Sequence, residues 1–266
     1  MSYGQPQLLF QEIDLNCRLN IAICLVLGIW SFVICPLPAT AQGTIETFSM
    51  PVSLESGSIW NGDRHRNVVA LTFDDGPKPE FCQPILDILD KYGAKATFFV
   101  VGKEAQDNPD LIMRMENNGH EIGNHTYSHT SVKDSPVGDA LSDIQKCSEV
   151  IYNITGKQPK YFRPPGGGFN QALSKGLKRM GLRTVYWSLN AGDFIDITSG
   201  DEVPDDFQKM ADALSKKIID NAQPGDVILL HNGSEQTVRA LPVILKGLEA
   251  KGYSFVTISD LIGEYN

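Results

Sequence analysis

From Val68 onward, short apolar runs alternate with amphipathic stretches. Val68-Val69-Ala70-Leu71-Thr72-Phe73 is too short for a helix and rich in β-formers, which predicts a buried strand. Phe81 to Tyr92, with apolar Ile85, Leu86, Ile88 and Leu89, predicts a helix, and Ala96 to Val101 the next strand. Asn108 as cap and Pro109 at the first helical position open a helix that runs to about Asn118 and stops at Gly119. Glu121 to Asn124 is a short strand; Ser135-Pro136 opens a helix to Asn153, broken at Gly156. Then come a strand at Tyr161 to Arg163, a Pro164-Pro165-Gly166-Gly167-Gly168 turn, a helix from Gln171 to Met180 and a strand from Arg183 to Leu189. A helix from Asp205 to Asn221, capped near Asp205 or Asp206, a strand from Asp226 to His231 and a helix from Thr237 to Lys251 follow. A strand from Tyr253 to Ile258 and a short helix capped by Ser259 end the chain. About seven strand–helix units in βα order predict an α/β fold, a closed or nearly closed (β/α) barrel, with an open doubly wound sheet as the alternative.

The pattern stops short of the N-terminus. Leu19 to Cys35 is apolar apart from Asn20, Gly28 and Ser31, follows Arg18, and leads to Ala39-Thr40-Ala41. A charged flank, an apolar run and a small-x-small site predict a signal peptide over residues 1–41, cleaved before Gln42; an uncleaved membrane anchor is the alternative. Residues 42–66 are polar, with Gly43, Pro51, Gly57 and Gly62, and form an N-terminal extension to a domain over 67–266. The whole chain carries a net charge of −9. With its basic residues scattered, it lacks the footprint of a nucleic-acid binder. Of five cysteines, Cys17, Cys24 and Cys35 lie in or beside the leader, leaving Cys82 and Cys147. An exported location permits a disulfide between them, and two buried thiols fit as well.

In folds of this class the site lies beyond the carboxyl ends of the strands. Asp74, Asp75, His125, His129, Arg163, Asp193 and His231 all fall there. A lone Asp-Gly-Pro is usually a turn and a lone histidine usually structural, but so many on one rim point to chemistry. His125 and His129 stand at i, i+4, a spacing that in a helical turn puts both imidazoles on one face. Two imidazoles and a carboxylate, Asp75, would hold a catalytic divalent ion, Zn2+ before Co2+, Ni2+ or Mn2+. Asp74 then faces the bound water as general base, with Arg163 keeping it ionised, although Arg163 could equally be a structural ion-pair partner. His231 is the candidate acid and Asp193 the group that orients it. His65 and His120 are bystanders.

Thr72-Phe73-Asp74-Asp75-Gly76-Pro77 and His125-Thr126-Tyr127-Ser128-His129 resemble the first two motifs of the polysaccharide deacetylases with a NodB-homology domain, carbohydrate esterase family 4. The resemblance covers roughly Val68 to Ile262. It implies a distorted (β/α) barrel, with Asp74 as base, Asp75, His125 and His129 as metal ligands, Arg163 positioning the base and His231 as acid. It further implies a backbone N–H of Gly166 on the oxyanion, Leu229 lining the acetyl-methyl pocket and Trp187 leading the fourth motif. The chain departs from the pattern at Gly166, where the family has tyrosine and an aromatic groove wall. It departs again at Phe194, where tryptophan is usual, and at Asn190 and Asn232, where aspartate is usual. The expected activity is removal of N-acetyl groups from an exported envelope polysaccharide, peptidoglycan or a GlcNAc polymer, by attack of metal-bound water on the acetamide. The alternatives are a silent glycan-binding module of the same fold and a deacetylase of O-acetyl esters or small amides. Contact with a membrane is expected only through residues 1–41.

Overall fold

The computed structural model describes residues 57–193 and 206–264. The expected leader, most of the extension, Asp205 and Phe194 lie outside these residues. Eight strands and eight helices are described: β1 (Val68–Gly76), α1 (Pro79–Lys91), β2 (Ala96–Val100), α2 (Gly102–Asp107), α3 (Pro109–Asn117), β3 (Glu121–Asn124), α4 (Val137–Thr155), β4 (Tyr161–Phe162), α5 (Ser174–Arg179), β5 (Arg183–Thr184), β6 (Leu189–Asn190), α6 (Phe207–Asn221), β7 (Val227–His231), α7 (Glu235–Ala250), β8 (Ser254–Phe255) and α8 (Ile258–Leu261). Among them no helix is long and apolar enough to cross a membrane.

Seven strands pair in parallel in the order β5-β4-β3-β2-β1-β7-β6, and β8 pairs with the start of β1. Read as a ring, that order is sequential, with no point of reversal, so the doubly wound alternative falls and a half-barrel covered by helices remains. Among the described residues the ring stays open at the seam between β5 and β6. There the run Arg183–Leu189 predicted one strand and the chain forms two short ones. The cause is hydrogen bonding. The carbonyls of Val185 and Tyr186 accept from the Arg163 guanidinium, while the N–H groups switch from Phe162 to Ile59 and then to Val227. The extension reaches this seam: Ile59 bridges to Val185 and Asn61 to Asp226, and Arg64 pairs with buried Asp226 at 2.5 Å.

β1 is nine residues long and central, pairing with β2, β7 and β8. Its alternation sorts the two faces. Val69, Leu71 and Phe73 pack outward beneath the helices, Phe73 stacking on Phe98 with ring centroids 5.1 Å apart. Ala70 packs inward with Phe99, Tyr161 and Val227, and Thr72 and Asp74 follow it on that face. Asn108 stands at the N-cap of α3 with Pro109 first in the helix, as expected, but two expected side-chain caps do not form. Asn108 donates to the Glu104 carbonyl instead of capping α3, because α2 ends there. Thr257, not Ser259, caps α8 by accepting from Asp260; Ser259 donates to Glu121 at 2.5 Å. Asp206 does cap α6, accepting from Lys209 at 2.9 Å. Cys82 and Cys147 are free, buried thiols, pushed by burial to about 11 and about 12.

Candidate active site

The carboxyl ends of β1, β3, β4 and β7 meet on one rim. Asp74 and Asp75 leave β1 there, and Asp75 adopts φ +72, which turns its carboxylate away from that of its neighbour. His125 and His129 follow β3, but in a loop, which corrects the helical turn expected from their spacing. Positive φ at Thr126 (+65) and His129 (+58) folds the loop so that the imidazole centroids lie 5.1 Å apart. Such conformations are costly for a β-branched residue and persist only where the surroundings impose them. Here Asn124 Oδ1 accepts from Thr126 N at 2.8 Å, and Asp143 Oδ2 accepts from Tyr127 N and Ser128 N at 3.0 and 3.1 Å.

Asp75 Oδ1 lies 3.3 Å from His125 Nε2 and 2.9 Å from His129 Nε2. The three donor atoms all fall within 4.8 Å of one another, close enough to share one ion. His125 Nδ1 lies 2.8 Å from the Arg163 carbonyl, which fixes the tautomer that turns the Nε2 lone pair toward Asp75. Burial pushes the Asp75 carboxyl up, but hydrogen bonds and charge from His125 and His129 outweigh it and hold the group far below the carboxylate range. The Asp75 hydrogen bond raises His129 above its ordinary value, against burial. These residues fit a divalent ion: one anionic oxygen and two oriented imidazoles converge on one point.

Arg163 is fully buried and organises the second carboxylate. Its Nη1 donates to Asp74 Oδ1 at 2.7 Å and to Thr72 Oγ1 at 2.8 Å, its Nη2 to the Tyr186 carbonyl, and its guanidinium stacks 4.1 Å from the Phe99 centroid. Asp74 Oδ2 is thereby directed to the other side, 3.8 Å from His125 Nε2.

His231 ends β7 directly opposite Asp74 in the sheet register. Its Nδ1 lies 2.8 Å from Asp193 Oδ1, and its backbone N–H donates to Asp193 Oδ2 at 2.7 Å. Thr237 and Gln236 at the start of α7 also donate to Asp193, whose side chain is fully buried. Burial disfavours charge on His231, but Asp193, with Asp74 and Asp75 beyond, lifts it to about 9.

The remaining expected residues lie around this centre. Leu229 pairs with Thr72 across β1 and β7, on the inward face one pleat below His231. Gly166 is exposed on the rim at φ +63, with nothing within 4 Å of where a Cβ would stand. Trp187 is half-buried, and its ring edge lies over Gly167. Asn190 accepts from Gly192 N, away from the acid. Sequence reasoning passed over Thr72, Asn124, Asp143, Gln236 and Thr237. Only Thr72 carried a signal, as the first residue of the TFDD run.

The sequence profile of the family described as polysaccharide deacetylase matches residues 61–185. A peptidoglycan-N-acetylglucosamine deacetylase of Bacillus cereus is 37% identical over 207 residues, 76% of this chain and 92% of that protein. The peptidoglycan-N-acetylmuramic acid deacetylase PdaA of Bacillus subtilis is 35% identical over 208 residues, 78% of this chain and 76% of that one. The crystal structure of a peptidoglycan N-acetylglucosamine deacetylase matches with a TM-score of 0.70 at 33% identity, covering 78% of this chain and 94% of that one.

Proposed function

Since this chain belongs to the polysaccharide deacetylase family, we propose that it is a divalent-metal-dependent hydrolase that removes N-acetyl groups from an envelope glycan, peptidoglycan first. The observation that carries the reading is the convergence of Asp75, His125 and His129 beside an Arg163-held Asp74. One ion held by the three donors, Zn2+ best suited and Co2+, Ni2+ or Mn2+ acceptable, would activate water and polarise the acetamide carbonyl.

The chain's own residues do the rest. Arg163 occupies Asp74 Oδ1, so Oδ2 is the oxygen that takes the proton of the attacking water. A backbone N–H of Gly166 faces the developing oxyanion, and glycine supplies that donor without a side chain. Leu229 lines the acetyl methyl, and Trp187 forms part of the groove. Asp193 holds the Nδ1–H of His231, so the proton delivered to the departing amine comes from Nε2. Acetate and a free amine result. Export to the envelope by way of residues 1–41 completes the reading.

The test is acetate release from peptidoglycan and from N-acetylglucosamine polymers by metal-replete protein, with and without chelator. Release that chelator abolishes is expected, and the Asp74→Asn variant should lose on the order of a hundredfold or more in kcat. A metal-replete chain that releases acetate from none of these, nor from O-acetyl esters, yet binds the glycans would be the silent module instead.

A further inference from the structure

We propose that Lys78 reads a carboxylate carried by the glycan close to the acetamido group under attack. The inference rests on the deacetylase reading and narrows its substrate to an anionic glycan.

Lys78 is poorly placed for stability. It is the N-cap of α1, where its side chain makes no capping hydrogen bond. Helix N-termini favour Ser, Thr, Asp or Asn and repel cations, so a lysine here works against the helix it begins. Its side chain nonetheless has a defined course. It is half-buried and lies across Gly233, in the turn that follows His231 and Asn232. A Cβ on Gly233 would stand 2.9 Å from Lys78 Nζ and 3.3 Å from its Cδ. Gly233 is not among the glycines with positive φ, and a Cβ there would press only on the flexible end of Lys78 and move it.

The ammonium is also uncommitted. Arg163 is matched to Asp74 and His231 to Asp193, whereas Lys78 makes no ion pair among the described residues. It lies within electrostatic reach of His129. An unmatched cation between the proposed acid and the metal ligands, on a chain of net charge −9, suits a substrate that brings its own anion. A lactyl ether or a stem peptide on the glycan offers such a carboxylate; a plain N-acetylglucosamine polymer does not.

The experiment compares the parent chain with Lys78→Gln, Lys78→Arg and Gly233→Ala on four substrates. These are peptide-free glycan strands with free lactyl carboxylates, the same strands amidated, peptide-bearing strands and neutral N-acetylglucosamine oligomers. Lys78→Gln should raise KM about tenfold on carboxylate-bearing strands with kcat nearly unchanged, the size expected of one hydrogen bond to a charged group. The loss should shrink in high salt, be absent on amidated and neutral substrates, and be largely restored by Lys78→Arg. Gly233→Ala, which displaces the ammonium without removing it, should show a weaker loss of the same kind. A loss on peptide-free strands identifies the lactyl group, and a loss confined to peptide-bearing strands identifies the stem. Calorimetric binding of the strands to the Asp74→Asn chain, with and without Lys78→Gln, reads the contact without turnover. Absence of turnover in the parent chain therefore overturns the deacetylase reading alone. Equal losses on neutral and anionic glycans, or no loss on either, overturn the role of Lys78.

Discussion

At the scale of single residues, the site is two buried charge pairs set on neighbouring strands. Asp193 is the group that sets His231: it supplies both the hydrogen bond and the negative charge that lift the imidazole to about 9 against burial. Asp193→Asn keeps the shape and removes the charge. The His231 pKa should then fall toward its ordinary value, and the alkaline limb of kcat/KM should move acidward by a unit or more. An alkaline limb that stays in place would mean that another group is the acid. The positive charge of a bound ion lowers the limb in parent and variant alike, so the direction of the difference stands. Arg163 makes the complementary case. Arg163→Met leaves Asp74 buried without its partner, which should cost about 3–5 kcal/mol in urea unfolding as well as activity. Both pairs were half legible in the sequence. Asp74, Asp75, His125 and His129 sit in two short runs whose residue types and spacing already describe a candidate metal site and base. The groups that lock them do not. Asp143 and Thr237 reach the site from elements many residues away, and although Asn124 directly precedes His125, an Asn or Thr in a helix or strand looks the same whether or not it holds a loop.

At the scale of elements, periodicity located the long strands and helices and failed where backbone partners change. Arg183 to Leu189 is rich in β-formers, so pattern alone predicts one strand; the Arg163 guanidinium competes for two of its carbonyls and opens the seam. The i, i+4 histidines likewise come together through a strained loop, a conformation that spacing cannot distinguish from a helical turn. The seam gives the extension its structural work. Ile59 is buried against Val185, and Arg64 meets an Asp226 that also accepts from Ser188 and from the Gln223 N–H. A chain that begins at Asn67 loses the bridges at Ile59 and Asn61 and leaves Asp226 without its cation, though still with its Ser188 and Gln223 donors. Compared with a chain that begins at Gly57, it should melt lower, by about 4 °C or less per kcal/mol lost, given the size of the domain. Equal melting temperatures for the two truncations would show that the bridges at Ile59 and Asn61 add nothing.

At the scale of the whole molecule, the buried histidines determine where the metal-free protein is most stable. His120 packs edge-on to Phe98, 4% exposed, and its Nδ1 accepts from Ala96 N at 3.3 Å; burial lowers it to about 4. A depressed histidine leaves the unfolded chain with more protons, so this contribution is complete above about pH 6.5 and is lost as pH falls through 4. His231 acts with the opposite sign. Its raised pKa gives a contribution that is complete below about pH 6.5 and lost as pH rises toward 9. With the lowered Asp75 failing only at still lower pH, the two windows predict a maximum near pH 6.5 in chelator-treated protein, read by melting temperature against pH. A divalent ion should raise that maximum, by about 4 kcal/mol at a thousandfold excess over Kd. As pH falls through the raised His129 value the gain should fade, because the ion must displace the proton that Asp75 keeps on His129. His129→Gln should abolish the gain at every pH while leaving the acid side of the metal-free curve intact, since His120 sets that side from beneath the helices and touches none of the metal donors. If ion and proton did not compete in this way, the stabilisation would persist unchanged into acid, and the ion would be bound somewhere other than the rim of β1 and β3.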